Sequence, residues 1–94
     1  MPESNYNIRE DIREDLDRWG LLQQTWPHGS FLRAVLENDL MGAFAHADDD
    51  NRRAMFAIVS YVYNELPAGC WGSPAKVAAW MQTAQRLAGQ VANV

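Results

Sequence analysis

Between Ser30 and Ala47 the chain reads SFLRAVLENDLMGAFAHA, with apolar side chains around almost the whole circumference of a helical wheel. Only Arg33 and Glu37 mark a wet edge, and Leu40 and Phe44 lie close to it. A helix apolar on all sides has to be central in a bundle or sandwiched between subunits. This run therefore predicts an all-α domain in which other helices surround it.

Three further segments supply those helices. In IREDIREDLDRWG, residues Ile8, Ile12, Leu16 and Trp19 fall on one narrow stripe, and the other positions before Gly20 are charged. Arg13–Asp17 and Glu14–Arg18 are spaced as i,i+4 pairs, each worth about 0.3 kcal/mol, and Gly20 reads as a stop. In ADDDNRR, Asp48 is the expected N-cap. Met55, Ile58, Val59, Val62 and Leu66 follow as a single stripe ended by Pro67. Ser73-Pro74 opens the last helix, with Val77, Trp80, Met81, Ala84, Leu87, Ala88 and Val91 as its buried face.

The expectation is a small antiparallel bundle of about four helices. One domain spans 1–94, with helices at about 8–19, 30–47, 49–66 and 74–91 and a fraying segment at 1–7. A helix carried without a break through DLMGAFAHADDDNRRAMF is the alternative connection.

Ninety-four residues bury only a modest core, so association with a second subunit is a natural way to cover more apolar surface. A homo-oligomer is expected. Twelve acidic and eight basic side chains give a net charge of −4 without a basic cluster, which argues against nucleic acid as a partner. The lone cysteine, Cys70, precludes an internal disulfide and suits a reducing compartment. Neither a leader pattern nor a membrane-length apolar run is present. A cytoplasmic protein is expected.

Two loops resemble one another: Trp26-Pro27-His28-Gly29-Ser30 and Cys70-Trp71-Gly72-Ser73-Pro74. If the second and fourth helices start at the same end of a bundle, these loops converge. Free N–H groups at two helix starts, stacking faces from Trp26 and Trp71, close approach at Gly29 and Gly72, and donors from His28 and Lys76 would suit an aromatic anion such as a nucleotide. Ordinary capping by Ser30 and Ser73 explains the same residues, and it is the reading we prefer.

Asn38, Asp39 and His46 interrupt the apolar run and, with Arg52, form a candidate buried polar cluster. A buried Asp39 would require a partner such as Arg52 or His46. Such a cluster could do acid–base chemistry, but fixing helix register is the preferred role. The histidines and aspartates have no metal-ligand spacing, and no motif supplies a base for Cys70. No cofactor, metal or catalytic residue is assigned, and an enzyme is not expected. Arg33, Glu37, Leu40 and Phe44 form instead a candidate protein interface.

The pattern F-L-x-A-V-L-x-N-D-L in GSFLRAVLENDLMGAFAHADDDN, then A-D-x-x-N and the Tyr-Asn-x-x-Pro turn of YVYNELPAGCWGSPAKVAAWM, resembles a family of small, largely uncharacterised proteins of tailed bacteriophages and prophages. The resemblance covers roughly the last two thirds of the chain. It implies a setting, a phage or prophage gene in a bacterial cell, and assigns no functional residue. The expectation is a non-enzymatic accessory protein that binds and inhibits a host defence or regulatory factor. The alternatives are sequestration of a nucleotide or similar phosphorylated molecule at the paired helix starts, and a structural or assembly role in the virion.

Overall fold

The computed structural model describes residues 7–24 and 29–92, with side chains through Gly89. These residues are all-helical, with no strand among them. In chain order they form α1 (Glu10–Gly20), α2 (Ser30–Leu36), α3 (Leu40–His46), α4 (Asp49–Arg53), α5 (Met55–Glu65), a 3-10 turn (Ala68–Cys70) and α6 (Pro74–Ala92). The four expected helices become six because the second and third are each divided.

Helix α1 follows its stripe. Ile12, Leu16 and Trp19 are buried and Ile8 packs against the same core. Of the two expected i,i+4 pairs Glu14–Arg18 forms, and i,i+3 pairs are closer on the charged face. Arg13 reaches Glu10 at 3.3 Å, and Arg18 holds Asp15 at 3.0 Å more closely than Glu14 at 3.9 Å. Asp17 instead accepts a hydrogen bond from the Tyr61 hydroxyl of α5. Gly20 is the last residue of the helix, and it is glycine for a packing reason rather than for a left-handed turn. A Cβ there would come within 2.9 Å of Leu66 Cδ2, so glycine lets the end of α5 close on α1. The left-handed residue of this exit is Gln23, at φ 53°.

The expected helix over 30–47 breaks at Glu37–Asp39. Asn38 takes φ 64°, a left-handed conformation that asparagine tolerates better than most residues. Asp39 then caps α3, its Oδ1 accepting from the Gly42 N–H at 3.0 Å. A Cβ on Gly42 would collide with that carboxylate. The all-round apolarity thus belongs to two helices with different buried faces. Phe31, Leu32, Ala34 and Leu36 of α2 enter the core, whereas α3 contributes Ala43. Leu40, Met41 and Phe44 stay exposed. Asn38→Val is expected to cost about 1–2 kcal/mol, because a β-branched residue resists positive φ, while Asn38→Gly should be nearly neutral. Thermal denaturation of the two variants checks this, and equal melting temperatures would remove the left-handed corner.

Asp48 starts a new helix as expected, accepting from the Asn51 N–H at 2.8 Å after an extended Ala47. The unbroken-helix alternative is therefore not the one formed. At Ala54 the backbone leaves helical geometry (φ −91°, ψ 5°), which separates α4 from α5. Met55, Ile58, Val62 and Leu66 are buried, but Val59 is not, and Tyr61 takes a place in the core. Buried Asn51 was not foreseen; no buried side-chain N or O lacks a hydrogen-bond partner among the described residues.

Helix α6 begins at Ser73-Pro74 as expected and buries Val77 and Ala84, with Trp80 and Met81 half-buried. Beyond Ala84 its described side chains are exposed, including Leu87 and Ala88; Val91 lies outside the described side chains. Two indole groups clasp the ends of the fold together. Trp19 Nε1 donates to the Cys70 carbonyl at 3.0 Å, and Trp80 Nε1 donates to the Trp19 carbonyl at 2.7 Å. The second bond satisfies a carbonyl in the last turn of α1, where no helical partner remains. None of the described helices is long and apolar enough to cross a membrane.

Candidate functional site

The two Gly-Ser helix starts share a backbone device. Gly29 and Gly72 sit at φ 104° and 125°, values that L side chains rarely adopt, so both glycines are required by the turn itself. The serines differ. Ser73 Oγ accepts from the Lys76 N–H at 3.2 Å, a conventional cap. Ser30 is the first residue of α2, and the cap position falls to Gly29, which has no side chain to offer. Ser73→Ala is accordingly expected to cost about 1 kcal/mol and Ser30→Ala only a few tenths. Chemical denaturation reads the difference, and equal losses would restore a capping role to Ser30. Trp26 and His28 lie outside the described residues.

The starts do not form the expected pair. Gly72 N–H donates to the Leu36 carbonyl at 2.8 Å, which places the start of α6 against the C-terminal end of α2. Ser30, at the other end of α2, is about 9 Å away along that axis at 1.5 Å per residue. The positive end of α6 thus meets the carbonyl-rich, negative end of α2, and the two dipoles offset one another locally. Trp71 is engaged within the protein, its Nε1 donating to the Leu66 carbonyl at 3.4 Å and its ring 5.7 Å from that of Tyr63. Lys76 is exposed on the first turn of α6.

The expected buried polar cluster does not form. Asn38, Asp39, His46 and Arg52 are all exposed. The corner at Asn38 turns Asp39 out to cap α3, and Arg52 pairs with Asp49 one turn earlier at 3.1 Å. The cation that links distant segments is Arg9, which sequence spacing did not single out. Its guanidinium lies 2.7 Å from Asp11, 3.2 Å from Asp48 and 3.6 Å from Asp50, tying the start of α1 to the start of α4. The Asn51 N–H, followed by Arg9, holds the Asp48 carboxyl below the usual carboxylate range. Among the described residues no group of three or more His, Cys, Asp or Glu side chains is arranged to hold a metal.

Cys70 is fully buried, and burial pushes its thiol up to about 11. At neutral pH it is a thiol rather than a thiolate, which makes it a packing residue and a poor nucleophile.

The candidate interface separates into two surfaces. Arg33 and Glu37, joined at 3.0 Å, stand on the rim of a groove of about 350 Å³ between α2 and α6. Its other walls are Pro74, Val77, Ala78 and Met81. Leu40 belongs elsewhere, lining a notch of about 100 Å³ with Ala43 of α3 and Met55 and Val59 of α5. The break at Asn38 causes this division, since it redirects Leu40 and Phe44 away from the turns that carry Arg33 and Glu37. Beside the notch, α5 exposes Phe56 (85%), Val59 (45%) and Tyr63 (69%). Sequence periodicity places Val59 in the core, where the structure does not, and sets Phe56 and Tyr63 beside the buried stripe, where both are exposed. No protein-family model, curated protein or solved structure matches the chain.

Proposed function

We propose that this chain is a non-enzymatic accessory protein of a phage or prophage that binds a host protein stoichiometrically and inhibits it. The observation that carries the reading is the groove between α2 and α6, whose apolar walls are Pro74, Val77, Ala78 and Met81. A groove of that size admits one or two large apolar side chains, the anchors on which protein interfaces concentrate their binding energy. The Arg33–Glu37 pair at its rim offers both charge signs, which would orient the partner segment. The phage setting rests on the sequence pattern described above. Sequestration of a phosphorylated molecule is not favoured, because the start of α6 lies beside the end of α2 rather than beside its start.

Ala78→Arg tests the reading, since the position is exposed and the new side chain fills the groove. The wild-type protein immobilised from a bacterial host should retain a host protein in roughly equal amount. The Ala78→Arg variant should lose it while keeping its melting temperature. Retention of the same proteins by both forms, or of none by the wild type, would overturn the proposal. A melting temperature that climbs with nucleotide concentration would favour the small-molecule alternative instead.

A further inference from the structure

The aromatic face of α5 is independent of the α2–α6 groove and has its own chemistry. From Ala54 to Asn64 the sequence AMFAIVSYVYN carries no charged side chain, in a chain where 21% of residues are charged. Over the same stretch Phe56, Val59 and Tyr63 project on one side at helical spacing and remain exposed. Leu40 of α3 borders them through the notch it shares with Val59, and Phe44 follows Leu40 one turn later.

We propose that this face is the contact between two copies of the chain, with α5 packed antiparallel to α5 across a two-fold axis. Three observations favour a second copy over an unrelated partner. In an isologous contact each residue meets its counterpart across the axis, and a charge close to the axis meets its own like, so an uncharged centre such as Val59-Ser60 suits it. The rest of the molecule is acidic overall, at a net charge of −4, yet this stripe is free of charge. The spacing is also self-complementary. With the axis between Val59 and Ser60, Phe56 of one copy meets Tyr63 of the other at both ends of the contact, and the two Val59 side chains lie at its centre.

Area is the third point. Leu40, Phe44, Phe56, Val59 and Tyr63 together expose on the order of 600 Å². That is most of the about 800 Å² per partner found in interfaces of standard size, the rim and backbone supplying the rest. The contact between Tyr63 and Trp71 holds one of the two aromatic anchors in place before association, which lowers the cost of ordering it.

Sedimentation velocity from 1 to 100 µM, on the order of the range that separates weak from stable pairs, gives the first reading. The wild-type chain should sediment as a dimer in the upper part of that range. Phe56→Lys and Tyr63→Glu should each sediment as monomers, because each places a pair of unmatched charges in the contact. In an equimolar mixture the heterodimer faces lysine with glutamate at one end and keeps the Phe56–Tyr63 contact at the other. The mixture should therefore recover the dimer, as should the doubly substituted chain, which faces lysine with glutamate at both ends. Circular dichroism on each variant reports whether the helices are intact. A wild-type monomer at 100 µM would overturn the proposal. So would single variants that stay dimeric, or a folded double variant that stays monomeric. Should both single variants lose helix content, Val59→Arg replaces them, and a folded dimer in that variant would likewise remove the contact.

Discussion

Trp19→Ala is expected to remove about 4–8 kcal/mol, a large share of the stability of the fold. The ring is fully buried in the core and its indole N–H supplies the hydrogen bond to the Cys70 carbonyl. Removing a buried tryptophan costs about 3–5 kcal/mol through lost burial and the cavity left behind. The Cys70 carbonyl would also lose its indole donor, a further cost of about 1–3 kcal/mol if water does not reach it. A domain of this length has on the order of 5–14 kcal/mol in total. Trp19→Phe separates the two contributions, since it keeps an aromatic ring in place and removes the donor. Urea denaturation should rank the three proteins as wild type, Trp19→Phe, Trp19→Ala. A Trp19→Ala protein that unfolds at the wild-type midpoint would mean that the α1 end is not part of the core.

Alkaline destabilisation is the second large effect. Burial raises the Cys70 thiol from 9.0 to about 11, so the folded state resists its ionisation. The Tyr61 hydroxyl is raised as well, by burial first and by its hydrogen bond to the Asp17 carboxylate second. Both groups are held in their neutral forms by folding. Their contributions are therefore complete at neutral pH and decline as pH rises above the values of the unfolded chain. The Cys70 share, on the order of 2–3 kcal/mol, should disappear between about pH 9 and pH 11, with Tyr61 adding to the loss above about pH 10. Unfolding free energies measured at pH 7, 9 and 10.5 should fall along this course. Cys70→Ala should have a shallower slope over that interval, whatever its stability at pH 7. A variant with the wild-type slope would show that the thiol ionises as freely in the folded state as in the unfolded one.

Local chemistry in the sequence was a good guide to helix ends and a poor one to what those ends face. Ser73-Pro74 and Asp48 start helices because their signals need only the next three residues. The α1 stripe is equally local: three residues a turn apart choose one direction, and Ile12, Leu16 and Trp19 are buried together. The division of the 30–47 run had a signal that apolar periodicity outweighed. Asn38-Asp39 with Gly42 three residues on is a turn followed by a cap, and an all-round apolar wheel is also what two successive helices with different buried faces produce. The partners of the helix starts were beyond reach, because the bond from Gly72 to Leu36 joins residues that nothing in the local pattern relates. The same holds for the candidate interface: the sequence groups Arg33, Glu37, Leu40 and Phe44, and the turn at Asn38 places Arg33 and Glu37 on one surface and Leu40 on another.

The indole clasps give the protein built-in optical reporters. Trp19 is shielded from water and bonded to Cys70, while Trp71 and Trp80 are only partly shielded and bonded to Leu66 and Trp19. Emission from a ring in Trp19's surroundings lies to the blue of emission from a wetted one, and aqueous quenchers reach it last. Separation of the α1 end from the 3-10 turn would therefore register as a red shift in the Trp19 contribution. The fluorescence spectrum can thus follow the closing of the chain's two halves separately from the formation of its helices.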